Sequence, residues 1–470
     1  MMRLILTGGL LAFVLLSKGQ SMYSHDRVYT ANQVSNSVSV IDPSTNTLLG
    51  EIKLGKSYPD VLNPLYRGQA LVHGLRYSPK RKLLAVVSIG SNSVTLISTE
   101  NNRILKTVYI GRSPHEPVFT PDEKELWVSV RGEAYISIID VASMKEIKRL
   151  PVSDGPGMVA FTKDGKQAYV CSSFTPVLDI VDTRTLQIMK SIPVTSPFSP
   201  NIFTSPDGKW IAFTHKDVGK VTVVNTSTAT IEKVIQTGAI TNHVSFVQFQ
   251  NKIVMMVTVG GENKVRMYDP GRQFLPTDSL PVGALPHGIW ASADGRQVYI
   301  GLEYGDQVQR IDMQTRTVTH TIQVGQSPQA LVYADNAVTD AAKSTEGLTA
   351  LHDSTATQVL NMVATGGTGN VHGRLVVRTV GLADLVEQSF NGLRPNAGYT
   401  LALVRGSATA GASYYPINSF VADGQGKYLG QSTGIINTLN QQLAGSSYEQ
   451  IVLMENDAQK IVLAIEAVRQ

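Results

Sequence analysis

The chain has 470 residues, 42% of them hydrophobic, with 41 Lys and Arg against 37 Asp and Glu for a formal charge of +4. That length allows more than one hydrophobic core, and a balanced charge without basic runs argues against a nucleic-acid partner. The only cysteine, Cys171, excludes an internal disulfide and, in an apolar strand pattern, reads as a small buried hydrophobe.

At the N-terminus, Arg3 precedes an apolar run over residues 4–16, and Ser17-Lys18-Gly19-Gln20 follows. This pattern predicts a signal peptide over residues 1–19, cut after Gly19. The run is too short to span a bilayer, which takes about 20 apolar residues. Cleavage leaves no transmembrane span and a charge near +2, and predicts a secreted or periplasmic protein. No cysteine stands at the cut to accept a lipid.

From residue 26 one paragraph of sequence recurs. Its opening strands begin at His73, His115, Met158, Asn201, His243, His287 and Gln329, at spacings of 42 to 44 residues. Most close on Pro-Asp or Asp-Gly, which supply tight-turn backbone angles. Second and third strands repeat as well, as in YTANQVSNSVSVID, WVSVRGEAYISIID and YIGLEYGDQVQRID. Their two-residue alternation with β-branched side chains specifies strands. Asp122, Asp164, Asp207 and Asp294 recur at one turn, and Asp42, Asp140, Asp182, Asp269 and Asp312 at another, as turn formers.

Four strands per unit at a fixed period is the signature of a β-propeller. Seven opening strands accompany seven sets of three following strands, and the first set, beginning at Tyr29, has no opening strand before it. The strand at Gln329 therefore completes the first blade, so both ends of the repeat region close the ring. YTANQVSNSVSVIDPSTNTLLGEIKLG and PHGIWASADGRQVYIGL resemble the YVTN-type repeats of secreted or periplasmic YncE-like seven-bladed propellers. The resemblance covers residues 26–334 and implies architecture and location. It also allows single-stranded nucleic-acid binding, which nothing else in the chain suggests.

Residues 335–369 read as a linker holding one short helix or strand. Residues 370–470 read as a small β-rich, sandwich-like domain, with strands at 375–380, 399–404, 419–422, 451–454 and 461–464. NGLRPNAGYTLALV and FVADGQGKYLG resemble small β-sandwich modules of bacterial envelope proteins. Residues 437–447 fit a helix or a long loop.

In a propeller the start of each first strand and the end of each second strand share one face near the central channel. This predicts that His73, His115, His243 and His287 occupy equivalent first-strand positions. Arg131, His215 and Glu303 align at the end of second strands. Converging imidazoles are zinc or copper ligands in principle, which makes the four first-strand histidines metal candidates. Around the ring His73 neighbours His115 and His243 neighbours His287, with Gln329 interrupting the two pairs. In nitrous-oxide-reductase-like propellers such histidines hold a copper cluster, but this chain lacks a second, cysteine-bearing domain and any Cys-x-x-Cys-His heme motif. The plainer alternative is that Pro-His-Gly is turn chemistry, each imidazole bonding the next blade's backbone. Glu303 and Asp306 could pair as carboxylates, though loop acids are usually solvated. Trp127, Trp210 and Trp290 are expected between blades.

The expected function is therefore non-catalytic binding, of a small ligand or an envelope protein, at the His-bearing face. No cofactor is required by this reading. The alternative is an envelope metalloenzyme or lactonase-like hydrolase using Glu303, His215 and Arg131. No Gly-x-Ser-x-Gly, phosphate loop or His-Glu-x-x-His motif supports it.

Overall fold

The computed structural model describes residues 22–55, 70–343, 345–351, 357–365, 371–380, 383–405, 413–433 and 450–465. The expected signal segment and residues 437–447 lie outside them. Seven four-stranded antiparallel sheets form the blades of a propeller. Blade 3 is representative, with Pro114–Phe119 innermost, then Glu125–Val130, Tyr135–Asp140 and Lys145–Pro151. Each blade lies between two others, so the second and third strands bury both faces and are nearly continuous in apolar residues. The outermost strand faces solvent and is rich in charged residues. Between blades 1 and 2, Tyr29, Val40, Leu75 and Val86 share one apolar cluster, each buried side chain being worth about 1.5–3 kcal/mol.

The expected turn chemistry is present. Thr120 Oγ1 donates to Asp122 Oδ1, which also accepts Lys124 N. Thr162 with Asp164, Ser205 with Asp207 and Ser292 with Asp294 repeat the bond. Ring closure uses Pro328–Ala334, which pairs with Arg27–Asn32 in the register Val28 to Tyr333 and Thr30 to Leu331.

The chain then leaves blade 1 and is pinned along the seam between blades 1 and 2. Thr99 Oγ1 donates to Ala337 O at 2.6 Å, Asn102 Nδ2 donates to Glu346 O at 2.9 Å, and Thr349 bridges Glu51. The strand Thr357–Ala364 follows and belongs to a second antiparallel sheet, so that sheet starts inside the stretch read as linker. Its eight strands run in the order Ser413–Val421, Gly398–Arg405, Gln450–Glu455, Lys460–Ile465, Thr357–Ala364, His372–Val380, Ala383–Asn391, Tyr428–Thr433. The two edge strands lie against each other, so the sandwich-like unit takes the form of a nearly closed barrel. Phe390, Phe420 and Tyr428 stack inside it, the last two 3.7 Å apart. No helix among the described residues is long and apolar enough to cross a membrane.

The barrel sits on the His-bearing face. Arg378, fully buried, donates to Asp306 of blade 7, to Glu303 O at 3.0 Å and to Glu387 of its own sheet at 2.7 Å. Val376 packs on Leu285 and Tyr304 of the propeller. Gln326 Nε2 donates to Thr357 Oγ1 at 2.6 Å.

Candidate functional site

Innermost strands of this propeller do not run straight into the channel mouth. In blades 1, 2, 3, 6 and 7 the register slips by one residue at the start of that strand, between Pro328 and Leu331, Val72 and Leu75, Pro114 and Pro117, Thr241 and Val244, and Pro286 and Ile289. Each slip is a β-bulge, which presents two successive side chains where a regular strand would alternate them. His73, His115 and His287 are the first bulge residues. The register places Asn242 in that role in blade 6 and makes His243 the second bulge residue, equivalent to Gly74, Glu116 and Gly288. His243 is therefore offset by one position from the other three. Blade 4 bulges around Gly157, which has no side chain, and the short blade 5 strand Ile202–Thr204 shows no slip.

The four imidazoles form one row. Ring centres are 4.4 Å apart for His115 and His73, 6.3 Å for His73 and His287, and 4.8 Å for His287 and His243. Gln329 does not interrupt the row, because its Nε2 turns back to Ser327 Oγ at 3.2 Å and leaves His73 facing His287. His115 Nδ1 donates to Gly157 O of the next blade at 2.8 Å, and Asn242 Nδ2 donates likewise to Pro286 O. These two make the backbone bond expected of turn chemistry. His73 and His287 do not. Their buried Nδ1 atoms lack a hydrogen bond, His73 Nδ1 lying 3.8 Å from Glu116 Oε1 and His287 Nδ1 3.5 Å from Glu303 Oε2.

Glu116 fits beside the row because Gly74 has no side chain. A Cβ there would stand 2.7 Å from Glu116 Oε2 and would also strike His115 O. Burial pushes the Glu116 carboxyl up to about 7, against the pull of Arg76 and Arg131. All four imidazoles are held below their ordinary value, first by burial and then by cations. Arg131 acts on His73 and His115, and Lys216 acts on His287 and on His243, which falls to about 3. The row is neutral at pH 7, and Arg131 stands beside it as the alignment of second-strand ends predicts.

His215 does not join the site. It is the last residue of Trp210–His215 and fully buried on the opposite face, with Nδ1 2.9 Å from Ser199 Oγ and Nε2 2.7 Å from Thr222 Oγ1. The residue that reaches the mouth is Lys216, whose N–H bonds Phe198 O as Glu303 N–H bonds Leu285 O and Ser173 N–H bonds Gly155 O. A one-residue slip moves a strand side chain to the other face, so an alignment that favoured the histidine missed the lysine. Counting from Trp210 in strict alternation could have found it. Asp306 is not solvated, being held by Arg378 and by Ser327 N–H. Trp127 packs on Phe161 between blades as expected, whereas Trp290 lies in the channel under Arg76.

Above the mouth, between the propeller and the barrel, lies a chamber of about 990 Å³. Lys216 is on its propeller side, Arg374 and Lys427 on its barrel side, and Tyr304, Phe390 and Tyr428 supply aromatic wall. None of the three cations forms an ion pair among the described residues, and Arg374 Nε is buried without a hydrogen bond. Burial lowers Lys216 and Arg374 from their ordinary values. The chamber acids are otherwise engaged. Asp423 accepts two backbone N–H groups of its own turn, and Asp217 accepts Ser196 Oγ. Among the described residues no three of His, Cys, Asp and Glu are arranged to hold a metal ion.

No family model matches the chain, and no curated protein does. Solved structures do. A chain of Kuenenia stuttgartiensis hydrazine synthase superposes with a TM-score of 0.52 at 19% identity, over 57% of this chain and 90% of that one. A functionally unknown protein from Desulfotomaculum acetoxidans gives 0.54 at 11% identity, over 66% and 99%. At these identities the likeness is one of fold.

Proposed function

We propose that this protein binds a small organic anion, without catalysis, in the chamber between the His-bearing mouth of the propeller and the C-terminal barrel. One observation carries the reading. Lys216, Arg374 and Lys427 line one partly aromatic chamber, and none of the three forms an ion pair among the described residues, its acids Asp217 and Asp423 being hydrogen-bonded elsewhere. A half-buried charge without an ion-pair partner is costly, and an anionic ligand supplies the partner. Because the barrel covers this face, the ligand is a small molecule and not a docked protein. The resemblance to YncE-like repeats and the apolar N-terminal run support an exported protein. N-terminal sequencing of the mature chain tests that, a start at Gln20 being expected.

Ligand binding stabilises the folded state in proportion to RT ln(1 + [L]/Kd). Thermal unfolding with a panel of small carboxylates and phosphomonoesters is expected to show a rise in Tm for at least one anion. The rise should vanish in Lys216→Met and Arg374→Met. Equal shifts with neutral analogues, or shifts that survive both substitutions, would exclude the proposal.

A second reading, a metalloenzyme or lactonase-like hydrolase, is favoured by three buried channel atoms without hydrogen bonds, His73 Nδ1, His287 Nδ1 and Glu116 Oε1. The fold likeness to hydrazine synthase is compatible with it. Elemental analysis of protein purified without a His-tag decides. About one equivalent of zinc or copper, lost on replacing His73 and His287, would favour the enzyme.

A further inference from the structure

The channel has a second end. One residue from each blade forms a layer below the histidine row, at the same register against its second strand. These are Val332, Arg76, Val118, Ala160, Phe203, Ser245 and Trp290. Arg76 is the only charged member. Its guanidinium carbon lies 4.4 Å from the centre of the Trp290 ring and 5.1 Å from that of Phe203, and the two rings meet edge to face at 4.9 Å. These residues come from blades 2, 7 and 5, so they meet across the channel.

Arg76 has five N–H donors. The hydrogen bond it makes is to the thioether of Met158, 3.9 Å away, and it forms no ion pair among the described residues. A thioether is a poor acceptor for a guanidinium, whereas a carboxylate matches its planar fork with two parallel bonds. The layer opens, on the side away from the barrel, into a cavity of about 300 Å³ whose wall is mainly apolar, with Phe119, Pro121, Phe161 and Ile202 beside Phe203 and Trp290.

We propose that this opposite mouth is a second binding site, for a small monocarboxylate with an apolar body, in which Arg76 holds the carboxylate and the Trp290–Phe203 pair the body. The rings serve twice. They hold the guanidinium by cation–π contact, and they wall the cavity that Arg76 also lines. The site is separate from the chamber, since the histidine row and Glu116 lie between them. Inorganic phosphate satisfies the charge but leaves the apolar wall exposed to water, and is expected to bind poorly.

The test uses the full chain, with benzoate as probe and intrinsic tryptophan fluorescence as readout, Trp290 being the one of the three tryptophans that lines the cavity. Benzoate is expected to change the emission saturably, while benzamide, its neutral isostere, and inorganic phosphate do not. Arg76→Met should weaken benzoate by about 10- to 100-fold, the effect of losing hydrogen bonds to a charged group. Arg76→Lys keeps the charge without the fork and should fall between. Lys216→Met should leave the titration unchanged. Benzamide binding as tightly as benzoate, an unaltered titration in Arg76→Met, or loss in Lys216→Met would each overturn the assignment. If Arg76→Met fails to fold, the benzoate–benzamide contrast in Lys216→Met decides the question, since a contrast that survives there does not come from the chamber.

Discussion

Removing the Arg378 guanidinium tests how much of the fastening of barrel to propeller rests on its buried contact, beside the Val376 cluster and the Gln326–Thr357 bond. Arg378→Met keeps the aliphatic stem and strands Asp306 and Glu387, whose side chains are 6% and 3% exposed, with no cation between them. Breaking a buried ion pair from one side costs about 3–5 kcal/mol. Burial already holds the Glu387 carboxyl up to about 7, so near neutral pH it can take a proton and escape part of that penalty. The expected loss is therefore at the lower end, about 3 kcal/mol. Tryptophan fluorescence and far-UV circular dichroism divide the effect, because Trp127, Trp210 and Trp290 all lie in the propeller while strand signal comes from both units. In the unmodified protein the separation of the two denaturation curves sets the reference. In Arg378→Met the dichroism curve should move to lower denaturant, with fluorescence following later, as the barrel loosens first. An unchanged separation with a shift of less than about 1 kcal/mol would refute the argument, since that is the range of an exposed pair.

Three further outcomes are expected. His215→Ala should cost about 2–3 kcal/mol, by leaving Ser199 and Thr222 unpaired around a void, yet leave anion-induced stabilisation intact, whereas Lys216→Met should do the reverse; denaturant titration with and without anion separates them. The folded protein holds a proton on Glu116 up to about pH 7 that the unfolded chain releases near 4.5. Stability should therefore fall as pH rises through that window, by on the order of 3 kcal/mol, and Glu116→Gln should remove this share of the decline when its pH profile is subtracted from that of the unmodified protein. Cys171 is fully buried and its thiol is pushed up to about 12, so a thiol reagent at pH 8 should react only at the rate of unfolding.

The fold was legible because a propeller writes the same instruction seven times. The turn residues at Asp122, Asp164, Asp207 and Asp294 vote together, and the count of opening strands implies the closing partner of Arg27–Asn32. The barrel offered no such redundancy. Strands Ala383–Asn391 and Tyr428–Thr433 were not anticipated, the first because ADLVEQSFN mixes charged and apolar residues without strict alternation. Its Glu387 is buried only because Arg378 on the next strand meets it, which is a tertiary fact. The histidine row was legible to within one residue, whereas the chamber cations Arg374 and Lys427 were not anticipated. His73, His115 and His287 follow a proline or an apolar strand start and are placed as expected, but bulges are silent in sequence, and one of them offset His243. The missed Lys216 and Arg76 stand in otherwise ordinary strand text, where the register that aims them is set by neighbouring blades.

Ring closure also carries a consequence for biogenesis. The bond from Thr30 Oγ1 to Ala330 O joins residues 300 positions apart. During synthesis from the N-terminus, Arg27–Asn32 must wait with one edge unpaired until nearly the whole ring exists. Joining chain ends over that distance costs about 5 kcal/mol of configurational entropy beyond the fixed term. An open strand edge held that long invites pairing with another nascent chain. The latch strand leads straight into the segment that delivers the barrel, so sealing the ring and roofing the mouth are successive acts of one stretch of polypeptide.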